Sequence, residues 1–161
     1  MNMSSLMDLA MLVSALGCGL MAGFFFAFSI CVMKAFGAIP SAHGISAMQS
    51  INVAVINPWF LTPYFGMAVL SVLLIIAAVL GWHEPGAAYV VAGGLFYFLG
   101  TFLVTMLFNV PRNNALAAVA ATSTDGAALW VGYLIAWTKW NHVRTIAALA
   151  GAALFTIALT R

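Results

Sequence analysis

The strongest constraint on this chain is a set of apolar runs, each long enough to cross a lipid bilayer. They extend from about Leu9 to Met33, Trp59 to Leu80, Ala87 to Val110 and Val143 to Leu159, the last with Arg144 at its edge. A hydrocarbon core of about 30 Å is crossed by roughly 20 residues of helix, which is what such runs supply. Hydrophobic residues make up 65% of the 161 positions and charged residues only 5%, more apolar surface than one water-soluble globule can bury. Membrane β-barrels carry short segments of alternating polarity, and the sequence has none. The expected fold class is therefore all-α: a polytopic membrane protein, a single domain over 1–161 built as a four-transmembrane-helix bundle.

No Lys or Arg precedes the first run, which is far longer than the apolar core of a secretory signal, so it is expected to be a retained span. Cys18 and Cys31 lie on that span about 20 Å apart at 1.5 Å per residue and cannot bridge each other. Four spans place both termini on one side of the bilayer and the connections 34–58 and 111–142 on the other. The connections carry Lys34, Arg112 and Lys139, with Arg144 at their edge, whereas the opposite side offers Arg161 and the amino terminus. The excess of positive residues makes the long connections cytoplasmic and the termini external.

The connection from Gly81 to Gly86 is a minimal turn with little room for function. Between 34 and 58, Ile45, Met48, Gln49, Asn52 and Ile56 recur at helical spacing before Pro58, which predicts a short interfacial helix. Between 111 and 142, Pro111 is expected to stop the third span. Ser123, Thr124 or Asp125 is expected to cap a further interfacial helix that continues into the fourth. Trp130, Tyr133, Trp137 and Trp140 on that helix are residues of the headgroup layer. Ala15, Gly19, Gly23 and Ala27 form a stripe of small residues, suited to packing within the bundle or to a homo-oligomer.

Two polar stripes are candidates for chemistry. Trp130, Tyr133, Trp137, Trp140, Asn141 and Arg144 share one helical face, so Asn141 and Arg144 are expected to point into the bundle while Lys139 and His142 point elsewhere. An ordinary interfacial belt with snorkelling cations is the alternative. Tyr97, Thr101, Thr105 and Asn109 form the second stripe and run into Arg112, Asn113 and Asn114. Amides beside a guanidinium at a helix end can orient an oxygenated aromatic or an anion. His43, His142 and Asp125 are the only potential metal ligands sharing a side, without metal-ligand spacing. Phosphate-cradling glycine loops, dinucleotide fingerprints, nucleophile elbows and basic nucleic-acid stripes are all missing.

The stretches GFFFAFSICVMKAF (23–36), GISAMQSINVAVIN (44–57), NVPRNNALA (109–117) and WTKWNHVR (137–144) resemble, in this order and over nearly the whole chain, the anthrone oxygenase-like family of small four-span membrane proteins. Some members of that family are associated with oxidising anthrones to anthraquinones. The resemblance implies a site at Gln49, Asn52, Asn109, Arg112, Asn113, Trp137, Asn141, His142 and Arg144, with Lys34 on the same side. It implies an oxygenase acting on a lipophilic phenolic, anthrone or quinol-like molecule. His142 would be the base, Arg144 or Arg112 the partner of the enolate, Asn109 and Asn141 the orienting amides, and Trp137 and Trp140 the aromatic slot. For His142 to face Arg144, the helix would have to break near Asn141. No cofactor is required in this scheme. The alternatives are a non-enzymatic lipophile-binding or small transport module, and a copper- or haem-dependent oxidase using His43 and His142.

Overall fold

The computed structural model describes residues 3–161, all helix and short connections, with no strand among them. Helix α1 covers 3–37, α2 Ser41–Ala54, α3 Pro58–Leu80, α4 Ala87–Ala117 and α5 Thr124–Ala158. Among the described residues, three helices are long and apolar enough to cross a membrane: Ser5–Gly37, Pro58–Leu80 and Ala87–Ala117. The expected fourth span, Val143 to Leu159, is the C-terminal half of α5 and is not a separate apolar helix. The polar Asn141, His142 and Arg144 sit in the same uninterrupted 35-residue segment.

Local chemistry explains where the helices begin. Asn57 caps α3 by accepting from the Phe60 amide at 3.1 Å, and Pro58 occupies the first turn, where no N–H is needed. Ser123 caps α5 by accepting from the Gly126 amide at 2.9 Å. Between α3 and α4, Gly86 has φ +85, a backbone conformation that side chains disfavour, and an added Cβ would come within 3.1 Å of the Ala158 carbonyl.

Two helices carry π-helical segments, Phe28–Val32 in α1 and Phe96–Leu103 with Thr105–Asn109 in α4. These wider turns correct one sequence expectation: Pro111 does not end the third span. It falls in the first turn of Val110–Ala117, directly after the π segment, where the widened backbone accepts the proline ring and the missing N–H costs least. In the connection 111–142, the helix expected to start at Ser123, Thr124 or Asp125 and to continue into the last apolar run is the first half of α5, and the short helix expected between 34 and 58 is α2.

Packing falls into two apolar clusters. One runs along α1, α3, α4 and the C-terminal half of α5 through Met21, Phe25, Tyr64, Met67, Tyr97 and Phe155. The other joins the end of α1 to α2, the end of α4 and the first half of α5 through Met33, Ile45, Met48, Leu116, Trp130 and Trp137. Trp130, Tyr133 and Trp137 are therefore core residues and not an outward aromatic belt; they are buried because α2 lies across them. Gly44 permits that close approach, since an added Cβ would stand 2.8 Å from the Trp130 ring.

The outer face of the bundle is apolar along Leu12, Leu16 and Leu20 of α1, Val69, Leu73 and Ile76 of α3, and Ile146 and Leu149 of α5. A face of this kind fits an integral membrane protein. The small-residue stripe also points outward: among the described residues nothing lies within 4 Å of a Cβ built at Gly19 or Gly23, so no other described helix packs there.

Candidate functional site

Where the two clusters meet, a cavity of about 360 Å³ opens between α1, α2, α3, α4 and α5. Its walls are mainly apolar, with aromatic rings from three helices: Phe24, Phe25 and Phe28 from α1, Phe60, Tyr64 and Phe65 from α3, and Trp137 from α5. Polar groups enter at Gln49 and Asn52 of α2, Thr105, Asn113 and Asn114 of α4, and Arg144 of α5. Tyr64 and Arg144 are the only titratable side chains in this lining. Apolar walls with a few convergent polar groups are the usual make-up of a small-molecule site.

Arg144 is the centre of the polar network. It is only 5% exposed. Its Nε donates to Asn141 Oδ1 at 2.8 Å and its Nη1 to Thr105 Oγ1 at 3.3 Å. The guanidinium lies over the Phe25 ring at 4.2 Å and the Trp137 ring at 4.8 Å, attracted to the negative π faces. No carboxylate is at hand: the chain has only three acids, and Asp8, Glu84 and Asp125 are all exposed. A buried cation stacked on aromatics without an acidic partner has donors to offer an anion or an electron-rich oxygen.

Asn141 fixes that cation to α1. Its Nδ2 donates to the Phe25 carbonyl and to Ser29 Oγ, both at 2.6 Å. Ser29 lies in the π-helical segment Phe28–Val32 and Phe25 just before it. The π segments of α4 act likewise: Tyr64 Oη donates to the Phe102 carbonyl at 3.2 Å, and Thr105 Oγ1 to the Thr101 carbonyl at 2.7 Å. Side chains thus satisfy carbonyls in the irregular turns that border the cavity, a common use of π-helix at functional sites.

The amides on the far side of the cavity are structural junctions. Asn113 Oδ1 accepts from Tyr133 Oη at 2.9 Å and from Trp137 Nε1 at 2.8 Å, which sets the Trp137 ring in the wall. Burial pushes the Tyr133 phenol above its ordinary pKa, so it stays protonated and donates. Gln49 Nε2 donates to the Leu116 and Val119 carbonyls at 2.8 and 3.0 Å, tying α2 to the end of α4. Asn52 Nδ2 is buried without a hydrogen-bond partner among the described residues.

The residues singled out in the sequence divide into three groups. Gln49, Asn52, Asn113, Trp137 and Arg144 line the cavity. Asn109 and Asn141 are buried just behind it, Asn109 Nδ2 donating to the Trp137 carbonyl at 3.2 Å. The structure does not bring His142, Arg112, Lys34 or Trp140 into that wall. His142 and Lys34 are exposed and border a separate groove. The α5 helix runs unbroken past Asn141, so His142 stays on the face opposite Arg144. Arg112 turns back on its own helix, its Nη1 donating to the Phe108 carbonyl at 2.6 Å, and Trp140 stacks on Phe108 with ring centroids 3.6 Å apart. His43 is exposed on α2 and does not line the groove that His142 borders. No group of three or more His, Cys, Asp or Glu side chains suited to a metal occurs among the described residues.

Sequence reasoning missed the aromatic walls. Phe24, Phe25, Phe28, Phe60 and Tyr64 are apolar residues in apolar spans, and nothing local distinguishes a cavity wall from a lipid-facing side chain. Ser29, which anchors Asn141, gave only the weak signal of a lone hydroxyl among phenylalanines.

A family model described as anthrone oxygenase matches residues 59–154, which include α3, α4 and most of α5. No curated protein and no solved structure matches the chain.

Proposed function

The chain belongs to the anthrone oxygenase family, and from that premise we propose that its cavity takes a flat, lipophilic aromatic whose ionised form carries charge on oxygen, such as an anthrone, phenol or quinol, and promotes its oxidation by O₂. The observation that carries this reading is Arg144, a buried cation without an acidic partner, set on the aromatic wall of a cavity of about 360 Å³. The aromatic walls hold the rings, and the guanidinium meets the enolate or phenolate oxygen as charge develops there.

For an anthrone the chemistry balances without a further reactant. Loss of a methylene proton gives an enolate that Arg144 stabilises. The enolate passes one electron to O₂, the resulting radical and superoxide join at the same carbon, and the peroxide loses water. The net change converts CH₂ and O₂ into C=O and H₂O. The lining holds no His, Asp, Glu or Cys to take the proton, so Arg144 acts by raising the acidity of the substrate, and the proton passes to water at the cavity mouth. His142 has no part in this scheme.

In this reading the C-terminal half of α5 is the fourth span of a single four-span domain. The cavity then lies towards the side of the two long connections, which is cytoplasmic, with the termini external.

The same lack of a proton acceptor supports a second reading, a non-enzymatic carrier that binds a lipophilic anion. One experiment separates the two. Purified protein is mixed with an anthrone, and oxygen uptake and quinone absorbance are followed beside ligand binding read from tryptophan fluorescence. The oxygenase reading expects turnover that falls about 100-fold or more in Arg144→Gln, the usual effect of removing one preorganised charge-stabilising donor. Binding with oxygen uptake no faster than in protein-free buffer would leave the carrier. Absence of both would overturn the site itself.

A further inference from the structure

On the outside of the bundle, α1 and α5 border a second depression of about 530 Å³, distinct from the aromatic cavity. Lys34 from the end of α1 meets Lys139 and His142 from α5 there, with Thr138 between them and Leu134 and Ile135 continuing the wall along the helix. The two lysines are distant in sequence, and the docking of α1 on α5 brings them together. All three basic side chains are exposed, and neither ammonium pairs with an acid among the described residues. The acid on the same helix, Asp125, is 14 residues before Lys139, about 21 Å away at 1.5 Å per residue.

This juxtaposition has two halves of different character. The basic half presents two uncompensated ammonium groups, a hydroxyl and an imidazole, donors that suit phosphate oxygens. The apolar half continues along α5 beyond His142, where Ile146 and Leu149 face outward at 67% and 61% exposure into the apolar run, while Leu134 and Ile135 lie on the other side of the basic groups. A soluble anion would use only the basic half.

We propose that this groove is a binding site for an anionic phospholipid, with the phosphate between Lys34 and Lys139 and an acyl chain along Ile146 and Leu149. Basic pockets beside membrane helices select lipids of net negative charge by this means. A zwitterionic headgroup brings its own cation and gains little from two lysines. The inference does not depend on the oxygenase reading, since the groove and the aromatic cavity take different ligands.

The test is native mass spectrometry of the full chain released from micelles containing equal amounts of phosphatidylglycerol and phosphatidylcholine. The expected result is retention of one phosphatidylglycerol per chain, lowered about tenfold or more in a Lys34→Gln/Lys139→Gln variant and preserved in the corresponding double arginine variant. Both lysines are exposed, so the glutamine variant should keep its unfolding midpoint; if it does not, added salt should strip the lipid from the wild-type chain instead. Equal retention of the two lipids, or unchanged retention in the glutamine variant at full stability, would overturn the site. Displacement of the lipid by millimolar inorganic phosphate would overturn the lipid assignment in favour of a soluble anion.

Discussion

Arg144 Nε donates to Asn141 Oδ1 at 2.8 Å, so the single cation in the cavity wall is aimed by an amide three residues earlier on the same helix. The other end of that amide holds the Phe25 carbonyl and Ser29. Asn141 is thus the joint through which α1 and α5 set the direction of the charge.

Replacing Asn141 by Asp gives Arg144 an acidic partner at nearly the same place and removes the donor to the Phe25 carbonyl, so the unfolding midpoint is measured beside affinity. An internal carboxylate then competes with any anionic ligand for the guanidinium, and affinity for an ionised phenol or anthrone enolate should fall about 10- to 100-fold. Fluorescence titration, with Trp137 in the wall, reads this directly. Unchanged affinity would mean that Arg144 does not meet the ligand.

Asn113→Ala removes the acceptor shared by Tyr133 and Trp137, leaving two buried donors unpaired. The expected loss is about 2–4 kcal/mol in detergent-solubilised unfolding, at about 1–3 kcal/mol for each unsatisfied donor. Asn113→Asp keeps an acceptor oxygen for both and should lose much less.

Gly44→Val tests whether α2 closes the cavity. A Cβ at residue 44 would stand 2.8 Å from the Trp130 ring and 2.9 Å from the Phe36 carbonyl, so α2 must lift. The cost should be about 1–3 kcal/mol of stability, the range for overpacking, and ligand affinity should fall with it. A bulky residue at Gly66, where nothing lies within 4 Å, should leave stability nearly unchanged and serves as the control.

If the C-terminal half of α5 is a fourth span, as proposed, the end of the chain lies across the bilayer from the connection between α4 and α5. With Cys18 and Cys31 changed to Ala, a single cysteine introduced at Thr122 and another at Thr160, on either side of the C-terminal half of α5, should react with an impermeant thiol reagent from opposite faces of sealed vesicles. Labelling of both from one face would remove the fourth span.

Much of the fold is legible in the sequence because it follows from rules of short range. The apolar runs, the tight turn at Gly81–Gly86, the Ser123 cap and the inward face bearing Asn141 and Arg144 depend on composition and on helical periodicity. Pro111 was misread because the rule that proline ends a helix assumes regular α geometry upstream, and α4 is π-helical there. The site was legible in part. Arg144, Asn113 and Trp137 stand out as polar or amphipathic residues at inward positions, whereas the phenylalanine walls carry no local mark.

The sequence by itself determined that this chain is a bundle of long apolar helices with one cluster of amides and guanidiniums near the ends of two of them. Those properties depend on neighbours within a turn or two and on how much apolar surface must avoid water. Only the tertiary structure decided that Arg144 faces a cavity while Arg112 folds back on its own helix and His142 and Lys34 share an outer groove. Those outcomes are set by helix rotation, by the π turns and by α2 lying across α5, and each arises from packing between residues far apart in the chain.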